Sequence, residues 1–581
     1  MSIPEVPKNW LPRSHRAERL AALFVVAGMA AFEFAYAQAG LLASVGRLGF
    51  ADDPVGGIFS GVFLLFTFWL FYRFILTAFT SNAAIRVIVL LVLALLLFAE
   101  FSYLRSIGRF TTHMDITYAA GTNSSQKLDT VLAYSSFAWL PVMAVALSLA
   151  IYFFVTKKER SGSKVFLRDA GILGVSYVGL YFLAPILGGQ GLYSSSFDAF
   201  AQTAVNYTIS GPVVAIAAPR KRTPLAQFAQ AEVRPANNVI LIFDESVNGR
   251  HLSLNGYGRQ TTPYLEQLER SGVLTNFGVA ASTFTSSQPS YDAFIVGASD
   301  EMLNAFSHQE RMVLPTIFQY ARSMNYKTWY LDGQMKTYWG GIEDDKQYID
   351  ETFTLADLDP NRIEDYQKNN GKTLTDENER EGLKQWDIDL VLAEKIRNIF
   401  ESSSGNFVFV YKRGIHFPYE KNYPAENAVW QPVYKFTSQW ETPPAEAHAG
   451  VTNSYDNALL YGIDPFFRKL DLDRKLPNGT VIVYTSDHGE TFASNGRAGH
   501  GGDTIDEASI PLFIIGLDRR KTERVAQAHH SNIFPTLLDL MNFPIEGRNA
   551  LYAPSLFDPA MNTLRPRYYH SGDGRRFLFE N

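Results

Sequence analysis

Asp487, His488 and Gly489 stand side by side directly after Val481–Tyr484, a run of β-branched and aromatic residues that reads as a buried strand ending at Thr485 and Ser486. In open α/β sheets, ligands bind beyond the carboxyl ends of strands. A carboxylate next to an imidazole at such a place suggests a metal site, because both are good Zn2+ ligands. Read alone, the pair is equally a polar turn capped by Gly489. Other candidate groups fall at comparable places. Val239–Phe243 reads as a strand and runs into Asp244, Glu245 and Ser246, so Glu245 stands at a strand end. Phe407–Tyr411 leads to Gly414, Ile415 and His416, and His500 lies between Gly499 and Gly501. Three strands thus deliver acid or imidazole groups to one sheet edge, which is what a single site requires.

The elements that must position these groups follow the same reading. Thr328–Leu331 and Pro511–Ile515 look like further strands. Helical patterns occupy Thr262–Gly272, Val313–Met324, Trp386–Phe400, Ser454–Leu470 and Ser531–Met541. Strands alternating with helices predict a mostly parallel sheet covered on both faces. The acidic, polar stretch 355–383 is expected to be a surface excursion. A chain of 581 residues exceeds one core, so two or more domains are expected. A net charge of −6 gives no case for nucleic acid as partner. With no cysteine, a disulfide framework, a thiolate metal site and a cysteine nucleophile are all excluded.

The N-terminal third differs in kind. Five apolar stretches, at about 20–44, 57–80, 84–103, 133–155 and 170–188, each come near the ~20 residues a membrane helix needs. No small-residue cleavage site follows the first, so it reads as a retained span. Lys8, Arg13, Arg16 and Arg19 precede the first span, Arg73 and Arg86 flank the short second loop, and Lys157, Lys158, Arg160, Lys164 and Arg168 lie between the fourth and fifth. The positive-inside rule puts these in the cytoplasm and everything after about 190 on the outer face. Residues 1–190 are therefore expected to form a five-helix transmembrane domain, 191–236 a linker at the membrane surface, and 237–581 a soluble catalytic domain. The polar outer loop 104–132 could reach lipid headgroups or simply connect two spans. Glu33 and Glu100 lie within or at the ends of spans, where ionisable groups are often functional. The basic run Pro219–Pro224 could touch anionic headgroups or be a solvated linker.

The motifs together resemble a family. Asn237–Ser246, His251–Pro263 and Thr275–Phe277, with Ser454–Asn457, Ser486–Glu490 and His500, are similar to the lipid A phosphoethanolamine transferases: five-span inner-membrane enzymes with an alkaline-phosphatase/sulfatase-like α/β domain in the periplasm. The resemblance implies a bound Zn2+, a phospholipid donor such as phosphatidylethanolamine, a glycolipid or glycan acceptor as in lipopolysaccharide modification, and action as a monomer. It places Glu245, Asp487 and His488 on zinc ligands. Counting eight residues on from the Thr-Asn-Phe element puts the nucleophile, also a metal ligand, at Thr285. A hydroxyl bound to Zn2+ loses its proton more easily and can attack phosphorus, giving a covalent phospho-Thr. Thr283, Ser286 and Ser290 are rivals, because the family's Cys-Gly-Thr-Ala-Thr pattern and its cysteine bridges are absent. His416 and His500 match histidines that hold the phosphate or protonate the leaving group. Lys336 is a candidate phosphate contact or a surface lysine. Two alternatives share the architecture: a phosphoglycerol transferase of the lipoteichoic-acid-synthase type, and a sulfatase-like phosphoester hydrolase. The element Asn255–Pro263 favours phosphoethanolamine, and the sulfatase Cys-x-Pro-x-Arg element cannot occur without cysteine.

Overall fold

The computed structural model describes helix 54–79, scattered residues within 84–100, 167–176 and 200–204, then 221–225 and most of 236–580, with its chief breaks at 335–344, 358–384, 437–442, 493–497 and 518–526. The chain divides into two compact units, Met1–Ala217 and Ala218–Asn581. In the first, the expected span 57–80 matches helix α1 (Pro54–Phe79) as far as Phe79, and Ile58, Val62, Leu65, Phe66, Phe68 and Trp69 are exposed on it. Glu100 is buried. Taken over the described residues alone, no helix is long and apolar enough to cross a membrane. The expected spans 20–44 and 133–155, the loop 104–132, Glu33 and Lys336 lie outside the described residues, and 84–103 and 170–188 are described only in part.

The second unit is built on a seven-stranded sheet. In chain order its strands are β1 (Asn238–Asp244), β2 (Leu274–Ala281), β3 (Lys327–Asp332), β4 (Glu351–Phe353), β5 (Asn406–Tyr411), β6 (Thr480–Ser486) and, after a hairpin of β7 (Thr491–Phe492) and β8 (Ala498–Gly499), β9 (Ser509–Ile515). Across the sheet the order is β2-β9-β6-β1-β5-β3-β4. β1 lies at the centre, parallel to β5 and β6, and every one of its residues is buried. Val239, Leu241 and Phe243 enter one core and Ile240 and Ile242 the other, as a sheet covered on both faces requires. Helices α3 (Ser287–Phe294), α4 (Ile317–Ser323) and α8 (His530–Leu540) cover the first face. The second is covered by α2 (Pro263–Ser271), α5 (Gln385–Ser402), α6 (His448–Gly462) and α7 (Asp464–Lys469).

Three differences from expectation have local causes. The expected helix Ser454–Leu470 is two helices, because Pro465 cannot continue α6 and instead opens α7. Val313–Met324 is helical only from Ile317, where Thr316 and Gln319 form a capping box. β9 runs antiparallel to both neighbours. The connection from β6 holds a short hairpin and one helical turn, not a full crossover helix, so the chain re-enters the sheet from the edge it left. The linker also differs. Arg222 of the basic run is buried, its guanidinium paired with Asp345 at 3.0 Å, so it is neither solvated nor available to headgroups. The C-terminal strands β10 (Arg567–His570) and β11 (Arg576–Phe579) form a separate hairpin.

Candidate active site

β1, β5 and β6 end at one edge, and each delivers its residues there. β6 hands over Asp487 and His488, and β1 hands over Glu245. Two glycines let the backbones converge. A side chain at Gly414 would collide with the Glu245 backbone, and Gly414 itself has φ +63°. A side chain at Gly489 would meet the carbonyls of Asp506 and Ser509. Ser246 is held at φ 62°, rare for a residue with a side chain, and its N–H donates to Asp487 Oδ1 at 3.0 Å. Behind the edge, Asp244 Oδ2 accepts from Tyr484 and from the ammonium of Lys412, and Lys412 also faces Asp389 at 3.6 Å.

Glu245, Asp487 and His488 come together as a buried group able to hold a metal ion. His488 Nε2 lies 3.3 Å from Glu245 Oε1 and 3.4 Å from Asp487 Oδ2. Its Nδ1 donates to the Gly489 carbonyl at 2.8 Å, which leaves the Nε2 lone pair facing the carboxylates. Three hydroxyls stand against this group: that of Ser287, 3.3 Å from Glu245 Oε1 and 3.1 Å from His488 Nε2, that of Ser246, 2.7 Å from Glu245 Oε1, and that of Tyr411. Zinc bonds nitrogen and oxygen at about 2.0–2.1 Å, so the corners of a zinc tetrahedron are about 3.3–3.4 Å apart. The four spacings, 3.1 to 3.4 Å, are close to the edge length of a zinc-sized tetrahedron.

Thr285 stands elsewhere. Its Oγ1 is buried and donates to the Gly502 carbonyl at 2.7 Å, while of the two hydroxyls that of Ser287 is the one facing the metal-binding group. Of the rivals, Ser290 donates to the Asp487 carbonyl, Thr283 meets His530 Nδ1 through its backbone N–H, and the buried Ser286 hydroxyl has no partner. Before the helix that carries Ser287, Phe284 forms an isolated bridge to His570. Pro289 lies in that helix's first turn. Ser287-Gln-Pro-Ser-Tyr291 matches the Cys-x-Pro-x-Arg element at its proline, with serine in place of the cysteine and tyrosine in place of the arginine.

His416 and His500 do join the site. The His500 ring centroid is 4.1 Å from that of His488 and 5.9 Å from that of His416. His500 Nδ1 meets Glu490 Oε1 at 2.8 Å, and Tyr419 fixes the other oxygen of Glu490. Glu490 thereby becomes part of the site, together with Tyr411, whose hydroxyl approaches both Glu245 and Asp487. Burial, followed by the Arg413 charge, pushes His416 down to about 4, so its imidazole is neutral. Burial raises the Glu245 carboxyl, but the hydrogen bond and charge of His488 hold it well below the usual range. Burial and the Glu245 charge push Asp487 well above it. Two such carboxylates titrate as one unit, and a divalent cation among them would let both ionise.

The His251–Pro263 element has a structural task. His251 Nδ1, Tyr257 and Arg259 all converge on the buried carboxylate of Asp456, at 2.8, 2.8 and 2.7 Å. These side chains tie the loop to α6.

Comparisons with known proteins agree with this geometry. A family model described as Sulfatase matches residues 237–543, more than half of the chain. Phosphatidylethanolamine transferase Mcr-1 of Escherichia coli is 25% identical over 332 residues, covering 54% of this chain and 56% of that protein. Phosphoethanolamine transferase EptC of an Escherichia coli O18:K1:H7 strain is 26% identical over 282 residues, covering 46% and 42%. The chain thus matches about half the length of these curated relatives. Among solved structures, the integral membrane protein lipooligosaccharide phosphoethanolamine transferase A of Neisseria meningitidis shares the fold, with a TM-score of 0.58 over 91% of this chain and 95% of that one, at 17% identity.

Proposed function

Because the chain belongs to the sulfatase family, we propose that it is a phosphoethanolamine transferase, moving that group from a phospholipid such as phosphatidylethanolamine to an outer-face glycolipid or glycan. The observation that carries the reading is the tetrahedral set of Glu245, Asp487, His488 and Ser287, which fits Zn2+. The phosphoethanolamine transferases among the relatives supply the transferred group. The catalytic unit then faces the periplasm behind five inner-membrane spans with a cytoplasmic N-terminus, and it works as a monomer.

Bound zinc would lower the pKa of the Ser287 hydroxyl and offset charge on the phosphoryl oxygens. The chain's own groups do the rest. Ser287 Oγ attacks the donor phosphorus. A Ser–O–P bond forms as the bond from phosphorus to the lipid's glycerol oxygen breaks. His500, its Nδ1 anchored on Glu490, carries a proton at Nε2 to that leaving oxygen. In the second half an acceptor hydroxyl gives its proton to the same imidazole and attacks phosphorus, releasing Ser287. His416, neutral and donating through Nδ1 to the Phe417 carbonyl, offers Nε2 as an acceptor beside the reacting group. Most of the remaining catalysis is positioning.

The test is mass spectrometry of outer-membrane lipids and glycans from cells with and without the protein. A phosphoethanolamine adduct on an acceptor supports the reading. A phosphoglycerol adduct establishes the lipoteichoic-type alternative. Donor turnover with no acceptor modified anywhere establishes the hydrolase, which the Ser287-Gln-Pro spacing would also suit.

A further inference from the structure

Tyr411 ends β5 at the site edge, is buried, and belongs to none of the motifs that carry the family resemblance. Its ring stacks on Tyr291 at 5.9 Å with 6° between planes and meets Phe243 edge-on at 5.3 Å, so its hydroxyl is aimed by packing. That hydroxyl lies 3.3 Å from Glu245 Oε2 and 3.2 Å from Asp487 Oδ2. The other carboxylate oxygens are already engaged. Asp487 Oδ1 accepts from the backbone N–H of Ser246 and of His488 at 3.0 and 2.7 Å. Glu245 Oε1, the oxygen turned to His488 and Ser287, also accepts from Ser246 Oγ at 2.7 Å.

We infer that Tyr411 is a metal-selecting residue: its hydroxyl, set between Glu245 Oε2 and Asp487 Oδ2, favours an arrangement in which Glu245 and Asp487 each offer one oxygen, so the site suits a four-coordinate ion over larger six-coordinate ones. The inference rests on the metal reading above. The physical reason is coordination number. Zinc takes four ligands, whereas Mn2+ and Mg2+ prefer octahedral oxygen-rich sites and Ca2+ readily takes both oxygens of a carboxylate. Bidentate binding by Glu245 would turn Oε2 from the phenol toward the ion and weaken that hydrogen bond. With Asp487 Oδ1 tied to two backbone N–H groups, Glu245 is the carboxylate free to change its mode, and Tyr411 is the group that restrains it.

The experiment uses the full chain in detergent, stripped of metal with a chelator and titrated separately with Zn2+ and Mn2+ against a competing metal dye. Wild type is compared with Tyr411→Phe, which keeps the ring contacts, and with 4-aminophenylalanine in place of Tyr411, which returns an N–H donor at the same place on the ring. Urea midpoints of the metal-free proteins are read alongside. The expected result is a zinc affinity about 10- to 100-fold weaker in Tyr411→Phe, as for the loss of other groups that orient metal ligands. The Mn2+ affinity should hold or rise, so the zinc preference narrows, and the amino variant should recover part of it. A zinc-to-manganese ratio unchanged in Tyr411→Phe, or lost equally in the amino variant, overturns the inference while leaving the zinc reading intact. Should Tyr411→Phe not fold, the amino variant alone decides, by keeping or losing the ratio. Wild type that binds no zinc overturns the metal reading itself, and the inference with it.

Discussion

Two hydroxyls two residues apart, Thr285 and Ser287, make opposite predictions. Thr285 Oγ1 donates one buried hydrogen bond, 2.7 Å long, to the Gly502 carbonyl in the loop that follows His500. Thr285→Ala removes that bond and leaves the carbonyl without it, a loss of about 1–3 kcal/mol of stability. If the whole of that loss were expressed at the transition state, the rate would fall by about 5- to 150-fold. Ser287→Ala instead removes the atom that stands 3.1 Å from His488 Nε2 and 3.3 Å from Glu245 Oε1. Where a covalent nucleophile is deleted from a hydrolase, the fall is on the order of 10⁶. Folding should hardly change, because Ser287 is partly exposed. The two variants should therefore separate by several orders of magnitude in transfer, with the more stable protein the less active. The assay is turnover of labelled phosphatidylethanolamine. A donor-only incubation goes with it, in which fragmentation mass spectrometry locates the phosphoethanolamine adduct within the peptide spanning residues 282–290. An adduct on Thr285, with Ser287→Ala retaining transfer, would falsify the assignment of the fourth corner to Ser287 and restore the residue reached by counting.

Two other perturbations follow from buried groups. Lys412→Met should destabilise the catalytic unit by about 3–5 kcal/mol in urea titrations, because Asp244 and Asp389 would be left as uncompensated buried carboxylates; a loss under 1 kcal/mol would show that the ammonium does not hold them. Acidification should also destabilise the fold through its buried histidines. Burial pushes His529 down to about 4 and His530 to about 3, so between these values and about 6.5 the unfolded chain binds protons that the folded chain refuses. Their contribution is complete above pH 6.5 and falls by about 1.4 kcal/mol per pH unit per group as pH drops toward 4. In His530→Gln the slope of unfolding free energy between pH 6 and 5 should be shallower by that amount, and an unchanged slope would show that His530 is not held neutral.

The parts legible in sequence were those fixed by local pattern. Five strands were readable because a sheet buried on both faces demands unbroken apolar runs such as Val239–Phe243 and Val481–Tyr484, and the acids and imidazoles stood directly at their ends. Glu245, Asp487, His488, His416 and His500 could thus be placed at one edge. β2 was not legible, because Gly278 at φ +79° and a register shift break its pattern. Nor was the direction of β9, which depends on a connection and not on composition. Ser287 was not singled out because an eight-residue count assumes a fixed path, whereas Phe284 bridges to a strand nearly 300 residues away and the helix begins only at Ser287. Tyr411 and Arg222 were missed for a related reason. Each acts through partners remote in sequence, and a tyrosine ending an apolar strand, or an arginine in a basic run, carries no local sign of such a partner.

That pairing bears on how this chain dispenses with the cysteine bridges of the family it resembles. Residues 282–285 are fixed by a ladder of hydrogen bonds to the C-terminal part of the chain. Ser282 N–H donates to the Ala508 carbonyl, Thr283 N–H to His530 Nδ1, His570 N–H to the Thr283 carbonyl, and Thr285 N–H to the His570 carbonyl. Gly501 N–H then donates to the Thr285 carbonyl, which ties the loop carrying His500 to the segment carrying Ser287. At about 1 kcal/mol net for each, such bonds together rival one disulfide. The His570 pairing can be probed through backbone and side chain separately, since its N–H holds the Thr283 carbonyl at 2.9 Å while its ring lies against Phe284 and beside the Thr283 backbone. His570→Phe keeps the ring contact and the backbone donor, and should leave transfer and zinc affinity within about threefold of wild type, the effect of a few tenths of a kcal/mol. His570→Pro removes the donor beside the nucleophile segment. It should lower transfer at least tenfold and weaken zinc binding, because Ser287 is the metal donor that this segment carries. Equal activity in the two variants would mean that the ladder is not what positions Ser287, and that the helix α3 alone sets its place against His488.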